Sequence, residues 1–181
     1  MIESPSSVLV RSRFLQVHGA PVRPGFANLL DVQRAGAPRA VLGYQRAGDA
    51  PLFLESYLDS PVEDCLAAVL GRPVARGSVI EIGSLAADDA FAMVSLWATA
   101  ANDLGAQCEI AVATLTAPLR RMFTRMGVPL HVLAPATAAR VSDPAAWGRY
   151  YDADPMVCAG LIAEGQRAIA DHLAARRRAA A

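Results

Sequence analysis

The chain has 181 residues, a formal net charge of zero and 54% hydrophobic residues. This length and composition fit one folded domain and exclude an intrinsically disordered chain. All 17 basic residues are arginine, so the chain has no P-loop lysine, no Schiff-base lysine and no Ser-Lys dyad. The balanced charge also gives no general attraction to nucleic acid or to anionic membranes.

Cysteine usage and the N-terminal sequence predict where the protein resides. Cys65, Cys108 and Cys158 are widely spaced and form no C-x-x-C motif, which is typical of reduced, buried thiols. The N-terminus lacks the regions of a secretion signal, and no charge-free run is long enough to span a bilayer. We therefore expect a cytoplasmic protein without a transmembrane segment. The histidines lack metal-ligand spacing, so no metal site is expected.

The first half of the chain predicts mostly β structure. Residues 7–11 are expected to form a first strand, and residues 29–34 and 39–46 a hairpin, because a turn containing Gly and Pro joins the latter two. Residues 52–58 are an apolar and aromatic segment. A short helix is predicted between Pro61 and Gly71.

The second half alternates strands and helices along the chain. The strands are expected at residues 79–83, 107–113 and 128–133, and the helices at residues 88–104 and 116–127. Two β–α–β steps in series indicate parallel strands, and a helical pattern returns from residue 156 to 178. The predicted fold is an α/β (α+β) mixed sheet, antiparallel in its N-terminal half, with flanking helices.

Four segments together carry a family resemblance. They are residues 52–63 (LFLESYLDSPVE), 81–86 (EIGSLA), 119–127 (LRRMFTRMG) and 147–160, which begins WGRYY. In this order they resemble the bacterial thermostable hemolysin family, which is similar to the acyl-homoserine-lactone synthases and long-chain N-acyltransferases of the GNAT superfamily. The resemblance implies one GNAT-like domain over residues 1–181, with residues 156–181 as a C-terminal helical extension.

The resemblance also implies a cleft for an acyl thioester. In GNAT folds two parallel strands splay apart and grip a pantetheine arm; here these strands would be residues 79–85 and 107–114. The thioester would be a co-substrate, with no permanently bound cofactor. The family usually has Asn, and the synthases Arg, where this chain has Ser84, so the polar contact differs there. The expected donor contacts are Ile82, Gly83, Ser84, Leu85 and Thr114.

Residues 85–89, before the long helix, bear on the identity of the donor. They lack the basic, Gly-rich turn with which the superfamily holds coenzyme A. Asp88 and Asp89 at a helix N-terminus would repel a pyrophosphate, so we expect acyl carrier protein rather than coenzyme A. Either Arg120 and Arg125, with Arg121 between them, receive this partner, or they simply solvate a helix face.

Three residues are candidates for proton transfer. Glu81 interrupts an apolar strand, where a carboxylate is costly unless it is paired or functional. As a general base it would deprotonate an acceptor amine; the alternatives are an ion pair with Arg76 or Arg46, or an outward-facing position. Glu55 follows the same logic with a weaker case, and Tyr150 is a candidate to protonate the leaving thiolate.

Aromatic residues cluster near position 150 in an otherwise aromatic-poor chain. Trp147 and Tyr151 are therefore candidates for substrate binding, with packing in a satellite core as the alternative. Tyr57, in the apolar and aromatic segment 52–58, is a further candidate for substrate binding.

Three functions remain open from the sequence. The first is an N-acyltransferase that passes an acyl group to a small amine or amino acid. The second is a membrane-active, hemolysin-like protein, for which only the C-terminal helix with its three arginines offers an amphipathic segment. The third is a non-catalytic domain that binds an acyl chain or a carrier protein. The sequence does not indicate an oligomeric state.

Overall fold

The computed structural model describes residues 3–22 and 25–179. Its strands are β1 (Asn28–Arg34), β2 (Ala37–Arg46), β3 (Val79–Ala87), β4 (Ile110–Leu115), β5 (His131–Pro135) and β6 (Met156–Leu161). Its α-helices are α1 (Pro5–His18), α2 (Val62–Leu70), α3 (Ala90–Gly105), α4 (Ala117–Arg125) and α5 (Ile162–Ala179). Short 3-10 turns connect several of these elements, including one at Phe53–Tyr57.

The strands form one mixed sheet in the order β1-β2-β3-β4-β6-β5. Strands β1, β2 and β3 are antiparallel, β3 and β4 are parallel, and β6 pairs antiparallel with both β4 and β5. The predicted mixed sheet, the hairpin of β1 and β2, and the long helix α3 are therefore confirmed. Helix α3 begins where the sequence indicates, because the Asp89 side chain accepts the Ala92 N–H at 2.8 Å.

The expected strand at residues 7–11 is wrong, because these residues lie within α1. Ser4 caps this helix by accepting the Ser7 N–H at 3.2 Å, Pro5 occupies its first turn and Gly19, at φ +66°, ends it. A three-residue apolar run suits either structure. The capping residues therefore indicate the helix more reliably than the apolar run indicates a strand.

The expected helix from residue 156 is also wrong over its first six residues, which form β6. Strand β6 lies between β4 and β5, so β4 and β5 run parallel but are not neighbours. Val157 and Ala159 are buried in the core on one face of the sheet and Cys158 in the core on the other. Such a short, fully apolar run does not reveal its period from sequence alone.

The pairing of β3 with β4 stops before either strand ends. The two strands pair from Val79 with Ile110 to Ile82 with Ala113, whereas β3 continues to Ala87 and β4 to Leu115. Beyond Ile82, strand β3 stays paired only with β2, with a register shift between Val41 and Gly43. The predicted splay of the two central parallel strands is therefore present.

Apolar side chains cover both faces of the sheet, in alternation along each strand. On one face Ile80 and Ile82 pack with Leu96 and Leu104 of α3, together with residues of α4 and α5. On the other face Val79 packs with residues of α2 and of the Phe53–Tyr57 turn. The second face carries the side chains that build the site described next.

Candidate active site

A cavity of about 600 Å³ opens where β3 and β4 separate. It lies between α1, the Phe53–Tyr57 turn, the ends of the two strands and the segment that carries Trp147. The lining includes most of the residues that the sequence singled out, namely Tyr57, Glu81, Ile82, Gly83, Ser84, Leu85, Thr114, Trp147 and Tyr150.

Glu81 lies in β3 at the floor of this cavity and is 3% exposed. Its Oε2 accepts the Phe53 N–H at 2.7 Å and its Oε1 accepts the Leu54 N–H at 3.0 Å. Burial raises the pKa of Glu81 to about 7, and the two amide hydrogen bonds only partly oppose that rise. Near neutral pH this carboxyl group therefore exchanges a proton readily, as a general base must.

The ion pairs expected as alternatives for Glu81 are not formed. Arg76 binds Glu55 and also contacts Glu63 at 2.8 Å. Arg46 lies 4.0 Å from Asp49. Glu81 also does not point to solvent, so its partners are the two backbone amides and the cavity.

Glu55 holds the turn that donates those amides. Its two carboxylate oxygens bind the Arg76 guanidinium at 2.6 and 2.8 Å, in the bidentate manner typical of arginine. They also accept the Leu52 N–H at 3.1 Å and the Val62 N–H at 3.2 Å. The hydrogen bonds from Arg76 lower the pKa of Glu55 to about 2. Glu55 lies behind the turn, outside the described residues that line the cavity.

The separated ends of β3 and β4 place unpaired polar groups against the cavity. Thr114 Oγ1 is buried and has no hydrogen-bond partner among the described residues. Ser84 has φ +48°, in the left-handed region that Asn enters more readily than most residues. Ser84 therefore has a backbone conformation that costs free energy for a residue other than glycine.

Tyr150 closes one side of the cavity. Its hydroxyl donates to the Thr114 carbonyl oxygen at 3.4 Å, and burial raises its pKa well above the usual range. The phenol is therefore protonated at physiological pH and available as a donor. Tyr57 and Tyr151 share a hydrogen bond of 2.9 Å between their hydroxyls, although only Tyr57 belongs to the described lining.

Helix α1 contributes three lining residues that the sequence analysis missed, Val10, Phe14 and His18. The His18 ring lies 5.2 Å from that of Tyr150, and burial, aided by the charge of Arg149, lowers its pKa. The His18 carbonyl oxygen accepts the Arg149 N–H at 2.7 Å. The i, i+4 spacing of Phe14 and His18 would have shown a shared helical face, had residues 7–11 not been assigned to a strand.

Phe26 is a further lining residue without a sequence signal. Its ring covers Gly43 and Gly83, which oppose each other in β2 and β3. A Cβ built on Gly43 would lie 2.7 Å from Phe26 Cβ, and one built on Gly83 would lie 2.5 Å from Phe26 Cε2. Both glycines therefore make room for this ring.

The charged residues expected to select between acyl carrier protein and coenzyme A lie outside the described lining of the cavity. At the start of α3, Asp89 caps the helix and Asp88 forms ion pairs with Arg13 at 2.7 Å and Arg39 at 3.0 Å. Arg120 is bound to Asp154 and to the Leu115 carbonyl oxygen at 2.8 Å. Arg121 and Arg125 are exposed on α4.

A second, apolar cavity of about 80 Å³ lies on the opposite face of the sheet. Ile82 lines both cavities, so they approach each other where β3 and β4 separate. Trp97 and Phe123 form part of its wall, with ring centroids 4.8 Å apart. Among the described lining residues are five alanines, Ala100, Ala101, Ala111, Ala113 and Ala159, which keep this space open.

Two kinds of site or element are absent from the described ranges. Within residues 3–22 and 25–179, no group of three or more His, Cys, Asp or Glu side chains is placed to hold a metal ion. No helix in the same ranges combines the length and the apolar character needed to cross a membrane.

The mixed sheet and the splay beside Glu81 define a GNAT-like protein. The family model for thermostable hemolysin matches residues 3–166. The chain therefore belongs to the thermostable hemolysin family, as its four sequence segments predicted. No protein of curated function matches the sequence significantly.

Several solved structures share the fold. BjaI, a CoA-dependent acyl-homoserine lactone synthase solved with SAM and isopentyl-CoA, superposes with a TM-score of 0.65 at 16% identity, over 94% of this chain and 81% of that chain. FeeM, an N-acyl amino acid synthase from uncultured soil microbes, gives 0.62 at 15%, over 90% and 92%. TofI, in a ternary complex with an inhibitor and MTA, gives 0.59 at 17%, over 91% and 86%. At these identities the similarity establishes the fold.

Proposed function

We propose that this chain is an N-acyltransferase that moves an acyl group from a phosphopantetheine thioester to a small amine. The observation that carries the proposal is the position of Glu81, a buried carboxyl group with a pKa of about 7 at the point where β3 and β4 separate. FeeM and BjaI share the fold; FeeM is described as an N-acyl amino acid synthase and BjaI as an acyl-homoserine lactone synthase. Their names support the proposal by analogy of fold.

The reaction follows from the groups around the cavity. Glu81 removes a proton from the acceptor ammonium, and the neutral amine attacks the thioester carbonyl carbon to form the C–N bond. Backbone N–H groups freed by the splay stabilise the oxyanion. When the C–S bond breaks, the thiolate takes a proton from the Tyr150 hydroxyl, and the second proton lost from nitrogen replaces it. Glu55 binds Arg76 and the amides of Leu52 and Val62 and lies outside the described lining, so we assign it to positioning.

The acyl chain is proposed to occupy the apolar cavity beyond Ile82. The thioester would then lie between the ends of β3 and β4, with its chain toward Trp97 and its polar arm toward Ser84 and Thr114. The orphaned Thr114 hydroxyl supports this arrangement, because a buried polar group without a partner favours a polar ligand.

Acyl carrier protein is the proposed donor. Asp89 already binds the Ala92 amide at the N-terminus of α3, where coenzyme A would otherwise place its pyrophosphate. The Arg13 and Arg39 side chains neutralise Asp88. A pyrophosphate is therefore disfavoured here because Asp89 caps the helix, rather than because two acidic side chains repel it. The exposed Arg121 and Arg125 suit an acidic carrier surface. BjaI is named as CoA-dependent, so both donors belong in the test.

A cytoplasmic location stays a prediction.

The test measures acyl transfer directly. The protein is incubated with octanoyl-acyl carrier protein or octanoyl-CoA and a mixture of primary amines and amino acids, and N-octanoyl amides are identified by mass spectrometry. We expect amide product, formed faster from the carrier protein. Glu81→Gln should reduce turnover by about 10²- to 10⁴-fold, whereas Glu164→Gln on α5 should not. Binding of the acyl carrier protein without product would instead support the non-catalytic alternative.

A further inference from the structure

The cavity presents an unusually open aromatic surface. Phe53 lines it yet keeps 46% of its surface exposed. Its ring stacks on Trp147 with centroids 5.6 Å apart and an interplanar angle of 30°, and it meets the edge of Tyr57 at 5.9 Å. An exposed aromatic face inside a concave site is apolar area available to a ligand.

Phe53 is fixed to Glu81 through its own backbone. The Phe53 N–H donates to Glu81 Oε2 at 2.7 Å. The Phe53 ring is therefore separated from the carboxylate only by this hydrogen bond and by the bonds that join the Phe53 nitrogen to its own side chain. A ligand with an aromatic ring and an amine joined by a short alkyl chain can stack on Phe53 and still place its nitrogen at Glu81. The rings of Trp147 and Tyr150 add faces that attract an ammonium group.

The charges of the cavity distinguish between acceptors with and without a carboxylate. Among the described lining residues, Glu81 is the only carboxylate and arginine does not occur. His18 is held toward its neutral form by burial and by the charge of Arg149, which lies outside the described lining. The carboxylate of an α-amino acid is bonded to the same carbon as the amine, so binding the amine at Glu81 brings two like charges together at low dielectric. An amine without that carboxylate avoids this repulsion.

We propose that the acceptor is an arylalkylamine that carries no α-carboxylate. This inference rests on the proposed acyl transfer and narrows its acceptor, a small amine, to one chemical class. The aryl group lies on Phe53 beside Trp147, the alkyl linker spans the Phe53 backbone, and the ammonium meets Glu81.

The first experiment compares three acceptors that differ in one group each. Transfer from octanoyl-acyl carrier protein is measured with 2-phenylethylamine, L-phenylalanine and hexylamine, and binding of each is measured by calorimetry without donor. We expect kcat/KM and affinity for 2-phenylethylamine to exceed those for both others by about tenfold or more. Equal or better use of phenylalanine overturns the inference while leaving acyl transfer intact.

Calorimetry separates this inference from the proposed reaction. Selective binding of 2-phenylethylamine without any transfer would refute the acyltransferase but support the arylalkylamine site. No selective binding of 2-phenylethylamine would overturn the site even if other amines are acylated.

A pair of phenylalanine variants provides the second experiment. Phe53→Ala keeps the backbone N–H that binds Glu81, so it should raise KM and Kd for 2-phenylethylamine by about tenfold and change those for hexylamine much less. Phe91→Ala is the matched control, because Phe91 is 67% exposed at the start of α3 and lies outside the described lining. Equal effects of Phe53→Ala on both amines would contradict stacking of the aryl group.

Discussion

Glu55 and Glu81 accept neighbouring backbone amides at residues 52–54, and their pKa values are shifted in opposite directions. Glu55 accepts the amides of Leu52 and Val62 and has a pKa of about 2, because Arg76 binds its charged form. Glu81 accepts the amides of Phe53 and Leu54 and has a pKa of about 7, because burial disfavours its charge. The negative charge of Glu55 adds to that rise. One carboxylate therefore stays charged while the other titrates near neutrality.

This relationship predicts the pH dependence of turnover. Glu81 acts as a base in its charged form, which forms as the pH rises through about 7. The value of kcat at saturating amine should therefore rise about tenfold per pH unit below that pKa and level off above it. Steady-state rates from pH 5.5 to 9, with an acceptor at saturation, measure this curve.

A control separates Glu81 from other titrating groups. Glu81→Gln should leave a low rate without the inflection near pH 7, while Glu164→Gln should keep the curve of the native protein. A native profile that is flat between pH 5.5 and 8 would show that Glu81 is not the base.

The Glu55–Arg76 pair predicts a loss of stability in acid. The pKa of Glu55 is depressed in the folded state from an unfolded value near 4.3 to about 2. Its contribution, about 2 to 3 kcal/mol, is therefore complete above the unfolded pKa and is lost as the pH falls toward 2. The free energy of unfolding in urea should differ by this amount between native protein and Glu55→Gln at pH 7, and by about half as much at pH 3.

An exposed pair provides the comparison for this prediction. Arg72 and Glu109 form an ion pair in which each side chain is about half exposed. Glu109→Gln should therefore change the free energy of unfolding by less than about 1 kcal/mol at either pH. Similar losses for Glu55→Gln and Glu109→Gln would contradict the structural role of Glu55.

The sequence predicted the fold best where local signals and long-range pairing agree. Asp89 caps α3 and the hairpin turn joins β1 to β2, so these elements were found. Strand β6 was missed because a short apolar run fits a helix as well as a strand. Its pairing with β4 and β5, which decides between the two, is a tertiary contact. Helix α1 was missed because a three-residue apolar run outweighed the capping residues Ser4 and Pro5.

The sequence likewise predicted only part of the candidate site. Glu81 could be singled out because a carboxylate within an apolar strand is unusual at the level of sequence. Its partners, the amides of Phe53 and Leu54, could not be predicted, since backbone donors carry no side-chain signal. Phe26 was likewise unpredictable, because its role depends on the opposition of Gly43 and Gly83 across two strands.

Phe26 and the two glycines predict a graded pair of variants. Gly43→Ala would place a Cβ 2.7 Å from Phe26 Cβ, at the root of that side chain, whereas Gly83→Ala meets only the far edge of the ring, which can rotate. Gly43→Ala should cost about 1 to 3 kcal/mol, and Gly83→Ala less. Urea unfolding measures both. Adding Phe26→Gly, which removes that Cβ, should recover much of the Gly43→Ala loss, and the absence of such coupling would show that the contact is not the cause.

The apolar cavity beyond Ile82 predicts a change in acyl-chain preference. Ala101 lines this cavity from α3 and is only partly buried, so Ala101→Leu fills space without introducing a polar group. If the acyl chain lies there, the variant should lose activity with decanoyl donors by about tenfold or more, since three added carbons displace a similar number of chain carbons, and should retain it with butanoyl donors. Rates with a series of acyl-acyl carrier proteins from four to twelve carbons provide the measurement. Val132→Leu is the matched control, because Val132 is 55% exposed on β5 and lies outside the described lining. An unchanged preference in Ala101→Leu would place the chain elsewhere.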